Sequence, residues 1–202
     1  MAETERYLAR GVDGRMLAVI ERYLSGYDTI VDLACGTGLY GLALHDTGAS
    51  VIGVDSDPAL CEAARATQQY DTVVCADARD IGDHVTVTGA VFCSEFLEHV
   101  ADDERRSLLD TVEARVGRRI VITVPNPLSP HFKHDPTHVA HYSVRSLLRE
   151  LNMSHRFVYR LLPLGFSDIE MTRRRVLRLA NPIAQRVAVL SPTVLYVGDR
   201  RL

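Results

Sequence analysis

The stretch Val31-Asp32-Leu33-Ala34-Cys35-Gly36-Thr37-Gly38-Leu39-Tyr40-Gly41 decides how this chain is read. The apolar run Thr29 to Leu33 has the character of a buried parallel strand. It passes through two glycines one residue apart into a helix-like segment, Leu39 to His45. Such a bend asks for glycine, because the backbone turns sharply and a ligand can approach with no Cβ in its way. Gly36 to Gly41 spell G-x-G-x-x-G, a pattern shared with dinucleotide sites. Asp32 argues against that partner. It stands four residues before Gly36 at the strand's end, where a pyrophosphate would meet a negative charge and a cation would find a partner.

Outward from this loop, the strand Ser50 to Val54 ends in Asp55, placed to accept hydrogen bonds from a ribose diol. A third strand, Asp71 to Ala76, ends in Asp77. Acids at three successive strand ends suit a ribose, an adenine amino group and a sulfonium amino acid better than a diphosphate. On Asp32-x-x-x-Gly36-x-Gly38, Gly53-Val54-Asp55 and Ala76-Asp77-Ala78, the sequence resembles the class I S-adenosylmethionine-dependent methyltransferases, from about Asp28 onward. The resemblance implies an α/β, Rossmann-like fold: a seven-stranded, mostly parallel sheet with helices on both faces and the last strand antiparallel. It implies S-adenosylmethionine as cofactor, with Asp32, Gly36 and Gly38 around the methionine portion. Asp55 would take the ribose hydroxyls, and Asp77 with Ala78 the adenine edge.

A chain of 202 residues is long enough to bury a sizeable core, and the expectation is one domain over residues 1–202. Within it, residues 1–26 would carry an N-terminal cap helix, and 126–142 and 163–192 would be acceptor-side insertions. The net charge of −3 gives no global pull toward nucleic acid or an anionic membrane. Cys35, Cys61, Cys75 and Cys93 form no C-x-x-C pair and no zinc-like spacing, which fits reduced thiols. No signal-peptide pattern and no apolar run of membrane-spanning length is present, so a cytoplasmic location is expected. Nothing in the sequence sets the oligomeric state.

Met16, Ile20, Tyr23 and Leu24 fit an amphipathic helix over Gly14 to Leu24, which either closes over the cofactor or packs on the sheet edge. Pro58 to Thr67 reads as a helix with proline in its first turn. Gly89 to Cys93 and Arg119 to Val124 read as the fourth and fifth strands, the latter stopped by Pro125-Asn126-Pro127. Asp102 and Asp103 can cap the intervening helix, and Gly117 ends it. Ser143 is a cap for a helix through Leu151. Arg156 to Leu162 and Val194 to Asp199 read as strands flanking a helical stretch from about Thr172 to Leu190.

The fourth strand runs into Ser94-Glu95-Phe96-Leu97-Glu98-His99-Val100. If a helical turn begins here, Glu95, Glu98 and His99 stand at i, i+3 and i+4 and share a face. Two carboxylates and an imidazole outside the carboxyl end of a strand are poor packing residues and good metal or proton-transfer groups. The same Glu-x-x-Glu-His pattern resembles the ubiquinone-biosynthesis O-methyltransferases and the small-RNA 3′-terminal ribose 2′-O-methyltransferases. Both families imply a divalent cation, Mg²⁺ or Mn²⁺. Glu-His-Val after the fourth strand also occurs in methyltransferases without metal, where the histidine orders the cofactor loop or packs locally. His131, His134, His138 and His141 crowd the loop after the fifth strand. By resemblance to the RNA enzymes, His138, five residues before Ser143, is the choice for a fourth ligand or general base; the others read mainly as solvated loop residues. The expected catalytic set is therefore Glu95, His99 and His138, and the metal set Glu95, Glu98, His99 and His138. Arg173, Arg174, Arg175 and Arg178 read as a solvated helix face rather than an anion site. Cys35 reads as a small apolar filler.

The leading function is S-adenosylmethionine-dependent methylation of a hydroxyl on a small molecule or saccharide. An alternative is 2′-O-methylation of an RNA 3′ end, against which stand the acidic balance and the lack of a basic, aromatic-interleaved surface. A catalytically silent S-adenosylmethionine-binding partner protein and a nicotinamide dehydrogenase complete the set.

Overall fold

In the computed structural model, residues 11–85, 89–129, 132, 135–166 and 176–202 are described. Each apolar run picked out above lies in a strand: β1 Thr29–Leu33, β2 Ser50–Asp55, β3 Thr72–Cys75, β4 Ala90–Ser94, β5 Arg119–Pro125, β6 Phe157–Pro163 and β7 Thr193–Arg200. They form one seven-stranded sheet in the order β3-β2-β1-β4-β5-β7-β6, with helices on both faces. β1 pairs in parallel with β2 and β4, β2 pairs in parallel with β3, and β7 runs antiparallel to β6. The expected mostly parallel sheet, with its last strand inserted antiparallel, is the one observed. Residue contacts divide the chain into two compact units. One comprises residues up to Ser94 together with Thr111–Ile120, the other Glu95–Asp110 together with Val121–Leu202.

In the first unit, Ile30, Val31, Val51, Val54, Val91 and Phe92 on the central strands are fully buried. Continuous apolar runs of this kind are what strands covered on both faces require. Helix α1, Gly14–Leu24, starts at Asp13, whose side chain accepts from the Arg15 amide, and buries Met16, Val19, Ile20 and Leu24. Tyr23, expected in that stripe, gives its place to Val19; the Arg119 guanidinium donates to the Tyr23 carbonyl at 3.2 Å. After the short helix α2, Gly41–His45, comes α3, Pro58–Ala66, with Asp57 capping the amides of Ala59 and Leu60 and Pro58 in its first turn. A one-turn helix, α4 Ile81–His84, follows β3.

Helix α5, Asp102–Arg115, opens with Asp102, Asp103 and Glu104 in its first turn, where acids oppose the helix dipole favourably. It stops at Arg115, two residues before the expected Gly117. In the second unit, Ser143 and Ser146 form a reciprocal capping box for α6, Val144–Leu151, which buries Val144, Leu147 and Leu151. Arg105, only 2% exposed, is held by Glu150 through contacts of 2.9 and 2.8 Å and by Asp102 at 2.9 Å. Within the helical stretch expected over Thr172 to Leu190, the described residues form α7, Val176–Ala184, and a separate 3-10 turn, Ala188–Leu190; residues 172–175 lie outside the described residues. The break has a cause in the buried Ser191 hydroxyl. It donates to the Ala184 carbonyl and accepts from the amides of Leu164 and Gly165, drawing the chain back toward β6. Arg173, Arg174 and Arg175 lie outside the described residues. Among the described residues, no helix is long and apolar enough to cross a membrane.

Candidate active site

The first unit builds a cradle from backbone turns. Leaving β1, the chain takes left-handed conformations at Ala34, Gly36 and Gly38, with φ of 59°, 55° and 86°. The Cys35 amide donates to the Val54 carbonyl at 3.0 Å, which ties the loop to β2. A Cβ built on Gly36 would meet nothing within 4 Å, so this side of the loop is open to a ligand. The Gly36 amide donates to Asp55 Oδ2 at 2.9 Å, and the Asp57 amide donates to Asp55 Oδ1 at 3.0 Å. One carboxylate thus fixes two loops while each oxygen keeps a lone pair for a hydroxyl. Asp77 caps the single turn Ala78–Asp80 by accepting from the Arg79 amide at 2.8 Å. The Arg79 side chain pairs with it through 2.9 and 2.6 Å contacts and holds its carboxyl below the usual range.

Asp32 differs from a strand-tip acid. It lies inside β1 with 2% of its surface exposed, and the Tyr70 hydroxyl donates to its Oδ2 at 2.7 Å. Burial pushes its carboxyl up to about 7, partly opposed by the Tyr70 hydrogen bond and reinforced by the Asp55 charge. The glycines also divide their labour differently from the sequence reading. A Cβ on Gly41 would lie 2.6 Å from Tyr70 Cε2, one on Gly38 3.0 Å from the same atom, and one on Gly53 3.0 Å from Cδ1. Of the loop glycines, Gly36 leaves room for a ligand, whereas Gly38 and Gly41 leave room for the tyrosine ring. Cys35 is a buried free thiol pushed upward by desolvation, in keeping with a filler.

The second unit gathers side chains. The expected helical turn is not formed: Glu95 is left-handed at φ 52°, and a 3-10 turn follows at Leu97–His99. The group brought together is therefore Glu98, His99 and His138, whose ligand atoms lie within 4.8 Å of one another; Glu95 stands outside it. Glu95 acts through its charge instead. Burial, then the Glu95 charge, then Asp135 push the Glu98 carboxyl up to about 9. Glu98 is 1% exposed, and its buried Oε2 has no hydrogen-bond partner among the described residues.

Both imidazoles are oriented by main-chain carbonyls. His99 Nδ1 lies 3.1 Å from the Thr137 oxygen and His138 Nδ1 lies 3.0 Å from the Phe132 oxygen. A carbonyl only accepts, so each Nδ1 carries the proton and each Nε2 presents its lone pair. This is the arrangement that prepares histidine for a metal. Asp135 Oδ2 stands 3.7 Å from His138 Nε2, and the Phe132 ring packs 4.9 Å from His138 and 5.5 Å from Tyr142. His141 is not gathered: its side chain is 91% exposed beside Asp102. His131 and His134 lie outside the described residues. The sequence reading missed Tyr70, for which no pattern signals a role, and Asp135, whose spacing of three from His138 was visible.

Residues 30–117 match a family model described as a methyltransferase domain. The ubiquinone biosynthesis O-methyltransferase, mitochondrial, of Schizosaccharomyces pombe is 32% identical over 107 residues, covering 49% of this chain and 39% of that protein. A ubiquinone biosynthesis O-methyltransferase of Coxiella burnetii is 35% identical over 80 residues, covering 38% of this chain and 34% of the relative. The matches thus span well under half the length of these relatives. Among solved structures, a SAM dependent methyltransferase from Archaeoglobus fulgidus shares the fold, with a TM-score of 0.69 and 20% identity over 92% of this chain and 93% of that one.

Proposed function

We propose, from the premise that this chain is a class I S-adenosylmethionine-dependent methyltransferase, that it methylates a hydroxyl of a small-molecule acceptor with the help of a divalent cation. The observation that carries the reading is the buried, unpartnered Glu98 Oε2 beside two imidazoles whose Nε2 lone pairs are left available. An acid so placed is costly unless a proton or a cation meets it. Glu98, His99 and His138 fit a cation, and one carboxylate with two imidazoles suits Mn²⁺ better than Mg²⁺. When bound, such an ion lowers the pKa of a coordinated hydroxyl.

The chain's own residues do the rest. The carbonyls of Thr137 and Phe132 keep both imidazoles in one tautomer. The Phe132 and Tyr142 rings offer an aromatic wall next to His138, which favours a phenolic diol as acceptor. The names of the O-methyltransferase relatives support the same direction. For the cofactor, the Asp32 carboxylate would meet its positive charge, the open side of Gly36 its chain, and Asp55 its ribose. Asp77, sharing its oxygens with Arg79, and Ala78 would border the adenine.

The test is transfer of labelled methyl from S-adenosylmethionine to catechols, saccharides and RNA 3′ ends, before and after chelation. Turnover of a catechol that chelator abolishes and Mn²⁺ restores is expected. Chelator-insensitive turnover would remove the cation, and methyl appearing in RNA would move the acceptor to a ribose. Stabilisation by S-adenosylhomocysteine without transfer to any acceptor would leave a silent binding partner.

A further inference from the structure

We propose that Tyr70 is the positioning residue of the cofactor cradle: its ring keys into the slot left by Gly38, Gly41 and Gly53, and its hydroxyl holds Asp32 for the cofactor's cationic arm. This rests on the methyltransferase reading above. Three observations meet at one side chain. The ring occupies the space where side chains at Gly38, Gly41 and Gly53 would be, with a Gly41 Cβ falling 2.6 Å from Cε2 and 2.8 Å from Cζ. The preceding residue, Gln69, is buried, and its Oε1 accepts from the Leu42 amide at 3.0 Å, so the same segment also grips the start of α2. The hydroxyl donates to Asp32 Oδ2 at 2.7 Å, whereas Oδ1 accepts no hydrogen bond among the described residues.

Fixed by one oxygen, the carboxylate offers the other in a set direction. A hydroxyl that donates to a carboxylate also favours its charged form, the form that attracts a sulfonium or ammonium. Burial and the Asp55 carboxylate oppose the charge on Asp32, and the Tyr70 hydroxyl acts against them. Of these, the hydroxyl alone favours the charge, so its loss makes the acid harder to ionise.

The experiment compares the wild-type chain with Tyr70→Phe, which keeps the ring and removes the hydroxyl. Calorimetry is run with S-adenosylmethionine and with 5′-methylthioadenosine, which lacks the charged amino-acid arm. Tyr70→Phe is expected to weaken S-adenosylmethionine binding about tenfold and to leave 5′-methylthioadenosine within twofold. The pH at which S-adenosylmethionine binding is half lost should move upward. Equal weakening of both ligands, or no change in either, would overturn the proposal by leaving Tyr70 a packing residue. A wild-type chain that binds neither ligand would sink the methyltransferase reading and this one with it. The slot has its own check, read from thermal melts. Gly41→Ala should lower the melting temperature, and Gly41→Ala with Tyr70→Leu should recover it while S-adenosylmethionine binding stays weak. A double variant no more stable than Gly41→Ala would refute the keyed ring.

Discussion

The two units hold their acids in opposite ways. In the first, main-chain amides and one tyrosine do the holding: Asp55 accepts from two backbone amides and Asp32 from Tyr70. In the second, Glu98 is left with a bare oxygen, a like charge nearby at Glu95 and two imidazoles within reach. The difference shows in their acidities. Asp32 sits at about 7, where a bound organic cation can tip it to the carboxylate, whereas Glu98 sits at about 9 and needs a stronger partner to lose its proton near neutrality. A cradle made of backbone is suited to a ligand of fixed shape. A cluster made of side chains is suited to an ion.

The contrast breaks most visibly at Glu98. Glu98→Gln should cost about a hundredfold or more in turnover while leaving S-adenosylmethionine affinity within twofold, as kinetics and calorimetry on one preparation would show. His138→Ala should behave the same way with the fold intact by circular dichroism; turnover near wild type would remove that histidine from the mechanism.

Asp32 supplies the next largest effect, through pH. Burial raises its folded-state pKa, so between the unfolded value of 3.8 and about 7 the folded chain binds the extra proton. Stability therefore falls as pH rises through that window. Between pH 5.5 and 8 about 2 kcal/mol should be lost from this group, and Asp32→Asn should remove that part of the slope. Urea unfolding of the cofactor-free chain in chelator at the two pH values measures it; identical slopes in both chains would contradict the assignment.

Asp55→Ala should weaken S-adenosylmethionine binding by about 1.5 kcal/mol, because a ribose hydroxyl and two loop amides lose their acceptor. Unchanged affinity by calorimetry would free the ribose from this residue. The smallest effect belongs to His141→Ala, expected to keep turnover within twofold. A loss as deep as that of His138→Ala would mean that the exposed ring works with the cluster after all.

The fold was legible because its signals are local. Apolar runs, Pro58 and Ser143 each announce an element through their own chemistry, and boundaries moved by a residue or two. The departure at α7 goes with the Ser191 hydroxyl, a contact to Ala184 that no periodicity encodes. The site was legible in part for the same reason. Glu95, Glu98 and His99 share a motif spacing, and His138 stands out by its distance of five from Ser143, but the first spacing assumed an α-helical turn, and the left-handed backbone at Glu95 took that residue out of the group. Tyr70 could not be found at all. It meets Asp32 across 38 positions of chain, and one tyrosine ahead of a strand carries no pattern.

The ring lodged among Gly38, Gly41 and Gly53 ties four sequence positions to a single volume. In related chains with a short residue at the Tyr70 position, Gly41 and Gly53 should be free to drift, whereas Gly38, left-handed at φ 86°, stays bound to glycine by its backbone. Where an alanine stands at the Gly41 position, the aromatic should already be gone. Covariation among the Gly41, Gly53 and Tyr70 columns, with the Gly36 and Gly38 columns holding still, would separate the glycines that serve packing from those held by a left-handed backbone.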